Sequence, residues 1–185
     1  MRRLGVLGVA LPLLVAFTVA KDPNDVRGKL DLRKVTAARE EPLLRMNIIT
    51  YGVWRSRLLR GAGGPHAGPN KLTVLYDVNG DKRADYTGRI IYEGTRLALW
   101  ITGKKSQFEP VPVRRPTRRS VTFRHPVDIF FKGSPRDVEV IWIRVTSLYR
   151  KAGTACARGC RDRAPNRAWM KIVFRQHPPA ADRPG

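Results

Sequence analysis

The chain has 185 residues, 42% hydrophobic and 28% charged, which excludes wholesale disorder and suffices for one domain with a real core. Its 36 Lys+Arg against 15 Asp+Glu give a net charge of +21, carried by 26 Arg and 10 Lys. That excess fits a surface for polyanions (nucleic acid, anionic wall polymer or lipid headgroups), or else arginines scattered over a solvated surface, since only Arg114-Arg115 and Arg118-Arg119 form a tight cluster.

Met1-Arg2-Arg3 is a basic start, and Leu4–Ala20 is an apolar run interrupted by Pro12. Thr18-Val19-Ala20 ends it on a small residue before Lys21-Asp22-Pro23. This is the three-part build of a secretory signal peptide over residues 1–20, with cleavage expected after Ala20. An uncleaved anchor is the alternative, but the run is at the short end of the spanning range and proline weakens it. The mature chain would start at Lys21 with a charge of +19, because only Arg2 and Arg3 leave. No other segment is apolar enough to span a membrane. The expected location is secreted or cell-surface.

Residues 21–28, KDPNDVRG, are turn chemistry. Leu30 and Leu32 alternate with Asp31 and Arg33, which predicts a strand over 30–37. Residues 43–51 predict a second, with Leu44, Met46, Ile48 and Thr50 on one face. Trp54 to Leu59 suits one helical turn or a strand end. Residues 61–70 hold four glycines and two prolines, so they form an exposed loop. The stretch 71–92 reads as two strands around an aspartate-rich loop. After Glu93-Gly94 comes 95–102, apolar on both faces as in a strand covered on both sides. Residues 107–113 carry two prolines and are confined to an edge or extended segment. A short strand is expected over 118–124 and a loop over 125–136 with an apolar patch at Ile129–Phe131. A long central strand follows over 137–149, and a closing strand over 168–174. About eight or nine strands with frequent turns and no long amphipathic helix predict an all-β fold, an antiparallel, jelly-roll-like β-sandwich. No linker or internal repeat divides the chain. Residues 21–176 are read as a single domain and the Pro-rich 177–185 as a disordered tail.

The loop Asp77-Val78-Asn79-Gly80-Asp81-Lys82-Arg83-Ala84-Asp85 places oxygen side chains at its first, third, fifth and ninth positions. A chain winding round a hard cation presents alternate residues inward, and Gly80 permits the bend. Asp77, Asn79, Asp81 and Asp85 are therefore candidate Ca²⁺ ligands, with the Arg83 carbonyl and water completing the shell. The competing reading is a plain hairpin, for which Asn-Gly between apolar runs is the strongest local signal. The nine residues resemble the loops of the FG-GAP repeat type, which implies a structural calcium outside the cell, and the lack of a bidentate glutamate makes the expected affinity weak. They depart from the EF-hand in lacking glycine at the sixth position and an acid at the twelfth, where Gly88 stands. The stretches DPNDVRGKLDLRKV and VLYDVNGDKRADYTGRIIY resemble exported β-sandwich proteins of Arg-rich bacterial proteomes, which implies export and a sandwich but attaches no activity.

Cys156 and Cys160 are the only cysteines and in an exported chain should form a disulfide. The spacing is not the redox Cys-x-x-Cys, and nothing beside it completes a zinc site. His66, His125 and His177 stand beside prolines in segments read as loops. Neither a nucleophile elbow nor a phosphate loop is present. Glu109 with Asp128 or Asp162 would make an acid–base pair only if the fold brought them together. Trp100, Trp142 and Trp169 lie in strand-like runs and are expected in the core, leaving Trp54 and Tyr51 as surface aromatics. The function expected is a secreted, calcium-stabilised β-sandwich that serves as a binding or structural module without catalysis. The alternative is a basic polyanion binder for cell-surface polysaccharide, wall polymer or nucleic acid.

Overall fold

The computed structural model describes residues 17–40, 42–61, 68–103, 106–131 and 138–175. Most of the expected leader, the middle of the glycine loop, and the expected tail 177–185 lie outside the described residues, as do His66 and His177. Eleven strands account for nearly all of the regular structure. They are β1 (Phe17–Lys21), β2 (Leu32–Glu40), β3 (Leu43–Thr50), β4 (Lys71–Asp77), β5 (Tyr86–Tyr92), β6 (Leu97–Gly103), β7 (Val111–Thr117), β8 (Ser120–Pro126), β9 (Val138–Tyr149), β10 (Cys160–Ala164) and β11 (Met170–Arg175). Helical structure is limited to a 3-10 turn at Ser56–Leu59 and the single turn α1 (Asp128–Phe131).

All ladders between strands are antiparallel, and the sheet runs β1-β2-β3-β8-β7-β6-β5-β4-β9-β10. One edge of β9 takes β4 along 142–148; the other takes β11 along 138–143 and β10 along 145–149. β1 and β2 come back against β10 and β11, where the Thr18 hydroxyl donates to the Lys171 carbonyl at 3.0 Å. The all-β antiparallel architecture is as expected, but the strands are more numerous and form one sheet that nearly closes on itself.

The halves face each other over a single core. Tyr76 on β4 is fully buried and its hydroxyl reaches His125 on β8, a strand not adjacent to β4, at 3.1 Å. His125 Nδ1 donates to the Pro126 carbonyl at 2.9 Å, so Nε2 accepts from Tyr76. Rings of Phe123, Phe130 and Tyr86 pack around this pair. Gly88 makes room for it, because a Cβ there would lie 3.2 Å from the Tyr76 ring and 2.9 Å from Leu99. Burial pushes the His125 pKa down to about 4 and raises that of Tyr76. His125, expected in a loop, is thus a sealed core residue, because β8 continues through Pro126.

Leu44, Met46, Ile48 and Thr50 all face inward on β3, as their alternation predicts. Each such fully buried aliphatic contributes about 1.5–3 kcal/mol relative to exposure. On β9 the inward set is Ile141, Ile143, Val145, Ser147 and Tyr149, which turns Trp142 outward. β7 joins the halves: Val111–Val113 pair with β6, whereas Arg114 and Thr117 pair with β8, and Pro116 falls in the register shift between them.

Candidate functional site

The aspartate loop winds on Asp77. This carboxylate is fully buried at the end of β4; Oδ1 accepts the amides of Asn79 (3.1 Å) and Gly80 (2.6 Å), and Oδ2 that of Lys82 (2.9 Å). Asp85 Oδ2 accepts the Val78 amide at 3.0 Å, Asn79 Oδ1 that of Asp81 at 2.9 Å, and Asp81 Oδ1 that of Arg83 at 2.7 Å. The four predicted ligand residues therefore share one loop, and each accepts a backbone amide there. This is the satisfaction expected of Asx turns.

The winding presses Gly80 onto the outward face of β9. Its φ is +83°, and a Cβ would lie 3.1 Å from the Trp142 ring. Gly80 and Lys82 form one wall of an open groove of about 430 Å³ completed by Trp142, Arg144, Arg167, Ala168 and Trp169. The Arg144 guanidinium lies 4.8 Å from the Trp169 ring centroid. Its Nε is buried and has no acceptor, while burial and the neighbouring Arg163 charge lower its pKa. Three cations and two half-buried indoles thus border one groove, and one cation holds an unused donor.

A second acidic group has no counterpart in the sequence reading. Asp22, Asp25 and Asp31, from the connection between β1 and β2, meet Asp162 of β10 across the seam where the sheet nearly closes. One carboxylate oxygen from each lies within 4.8 Å of the others. It is the one such group among the described residues, so Asp77, Asp81 and Asp85 do not converge in this way. Asp22, Asp31 and Asp162 are buried and Asp25 is exposed. Asp162 accepts the amides of Leu32 and Arg163, both at 2.6 Å, and Asp22 Oδ1 accepts the Asn166 side-chain amide at 2.6 Å. Asp22 Oδ2 and Asp31 Oδ1 are buried with no partner. Burial first, and the charge of Asp162 second, push Asp22 and Asp31 up to about 7. Such a group can share protons or hold a cation.

Two sequence expectations are corrected here, and the partner of Asp162 is identified. Asp31, placed on a polar face by alternation, is 2% exposed beside an irregularity between Leu32 and Lys34. The indoles are inverted. Trp54 is 2% exposed, donates to the Thr50 hydroxyl at 3.1 Å and lies under the Arg115 guanidinium at 4.0 Å, whereas Trp100, Trp142 and Trp169 are half-buried on the outer face. Asp162 joins the other aspartates rather than Glu109. Cys156 and Cys160 form the expected disulfide, Cα–Cα 5.0 Å, within the connection leading from β9 into β10. Among the described residues, no helix is long and apolar enough to cross a membrane. Phe17–Ala20 of β1 belong to the segment expected to be removed; the whole acidic cluster lies after that cut.

No protein-family model matches the chain, and comparison with curated proteins and with solved structures gives no match either.

Proposed function

We propose that the chain is an exported, non-catalytic binding module, steadied by a hard cation, whose ligand is an acidic polysaccharide. The groove bordered by Trp142, Trp169, Lys82, Arg144 and Arg167 carries this reading. Sugar rings present flat apolar faces that stack on indoles, and their carboxylates suit the cations Lys82, Arg144 and Arg167 that border the groove. The disulfide accords with an oxidising compartment, and the +19 charge of the expected mature chain, +21 less Arg2 and Arg3, draws a polyanion toward the surface. Binding is favoured over catalysis because both cysteines are bridged and His125 is sealed from solvent.

Tryptophan fluorescence during titration with a uronic-acid polymer tests the reading. Saturable quenching is expected, weakening steeply with salt, and Trp142→Ala with Trp169→Ala should lower affinity by about tenfold or more through lost stacking. A single-stranded oligonucleotide that binds tighter than the polymer would move the ligand to nucleic acid. No quenching by either would end the proposal.

A further inference from the structure

We propose that Asp22, Asp25, Asp31 and Asp162 form a divalent-cation site, suited to Ca²⁺, that closes the seam between the first connection and β10. The spacing is that of a single ion's shell: oxygens bound at about 2.4 Å on opposite sides of Ca²⁺ stand about 4.8 Å apart, and all four ligand atoms lie within 4.8 Å of one another.

A cluster of carboxylates is ordinary when each oxygen has a donor. Here Asp22 Oδ2 and Asp31 Oδ1, on residues 3% and 2% exposed, are buried without an N–H or hydroxyl donor, and within the protein only a proton shared with the Asp162 carboxylate would serve them. A buried carboxylate oxygen with no donor beside other carboxylates is strongly unfavourable until a cation or proton meets it. Two of the four carboxylates are already oriented. Asn166 holds Asp22 Oδ1, and the amides of Leu32 and Arg163 hold Asp162, as outer contacts fix metal ligands elsewhere. Each Asp162 oxygen keeps a lone pair for an ion. The ion pairs Arg45–Glu40, Arg124–Glu40 and Arg96–Glu93 lie elsewhere.

There is also a way in. Exposed Asp25 lines two open cavities, one of about 530 Å³ with Asp31 and Tyr51, the other of about 590 Å³ with Asp162 and Asn166. An all-oxygen set with room for water favours Ca²⁺ over Zn²⁺, which prefers nitrogen and sulfur. Three ligands come from residues 22–31 and the fourth from Asp162, so an ion would tie the first connection to β10.

The experiment adds Ca²⁺ to the full chain after EDTA treatment, with no polymer present, so its outcome is independent of the groove's ligand. About 10 mM Ca²⁺ should raise Tm by roughly 5 °C or more, with one ion per chain by calorimetry. Asp22→Asn should raise the Tm of the metal-free protein, because it removes one of the crowded charges, and should also abolish the Ca²⁺ response. Asp25→Asn, at an exposed position, should weaken Ca²⁺ at least tenfold with little change in metal-free Tm. Asp81→Asn in the loop should leave the response intact. Absence of both binding heat and a Tm shift in the unaltered chain overturns the site. So does a response that survives Asp22→Asn and Asp25→Asn but disappears with Asp81→Asn, which would place the ion in the loop.

Discussion

Two groups of aspartates stand in opposite conditions. In the loop 77–85 the acids are neighbours in sequence, and each carboxylate accepts at least one backbone amide of the same loop. At the seam the acids come from both ends of the described chain, and two buried oxygens have no donor. The first group uses its charge to hold a backbone shape; the second keeps charge in reserve. A run of acids in a sequence can thus shape a tight loop through that loop's own amides, whereas buried oxygens that converge without donors arise only from the tertiary fold.

The largest expected effect lies in the loop. Asp77→Ala would leave three amides without their acceptor, costing about 3 kcal/mol or more in urea unfolding. It should also weaken polymer binding, because Gly80 and Lys82 lose their seat beside Trp142. A cost well below about 1 kcal/mol would mean that the loop does not depend on Asp77. At the seam the sign reverses: Asp31→Asn should stabilise the metal-free protein by about 1 kcal/mol, since one crowded charge disappears.

The pH dependence sharpens the contrast. Asp22 and Asp31 are raised to about 7 when folded, from 3.8. Their contribution is therefore present below the unfolded value and lost as pH rises through about 7. In metal-free buffer Tm should fall over that interval, and saturating Ca²⁺ should remove the decline. His125 acts the other way: its pKa drops to about 4 in the core, so stability is lost as pH falls from 6.5 towards that value, with or without Ca²⁺. Because the His125 contribution is common to both conditions, a gap between the Ca²⁺-saturated and metal-free Tm that stays constant from pH 4 to about 7 would contradict the seam argument. The smallest effect is Gly80→Ala, about 1 kcal/mol, from a positive φ and the nearby Trp142 ring.

Much of the fold was legible. The period-2 pattern of β3, the hairpin of β4 and β5, the long β9 and the disulfide follow from local rules. β10 was not, because Cys-Arg-Asp-Arg-Ala holds no β-branched or aromatic residue and is a strand only through pairing with β9. β1 was hidden within a segment that reads as a leader. The indoles were inverted because strand membership does not tell which face points outward, and Trp142 sits one residue out of step with Ile141 and Ile143. Asp22 and Asp25 read as turn formers, and nothing local connects them to Asp162.

The Leu32–Asp162 hydrogen bond joins positions 130 apart in sequence. Chain closure over that length is slow, so the seam forms after the local hairpins rather than nucleating them. An ion seated there acts on the finished fold alone. If the proposed site is filled, the ion should slow unfolding while leaving the refolding rate nearly unchanged, which would make the seam a latch on lifetime rather than a guide to assembly.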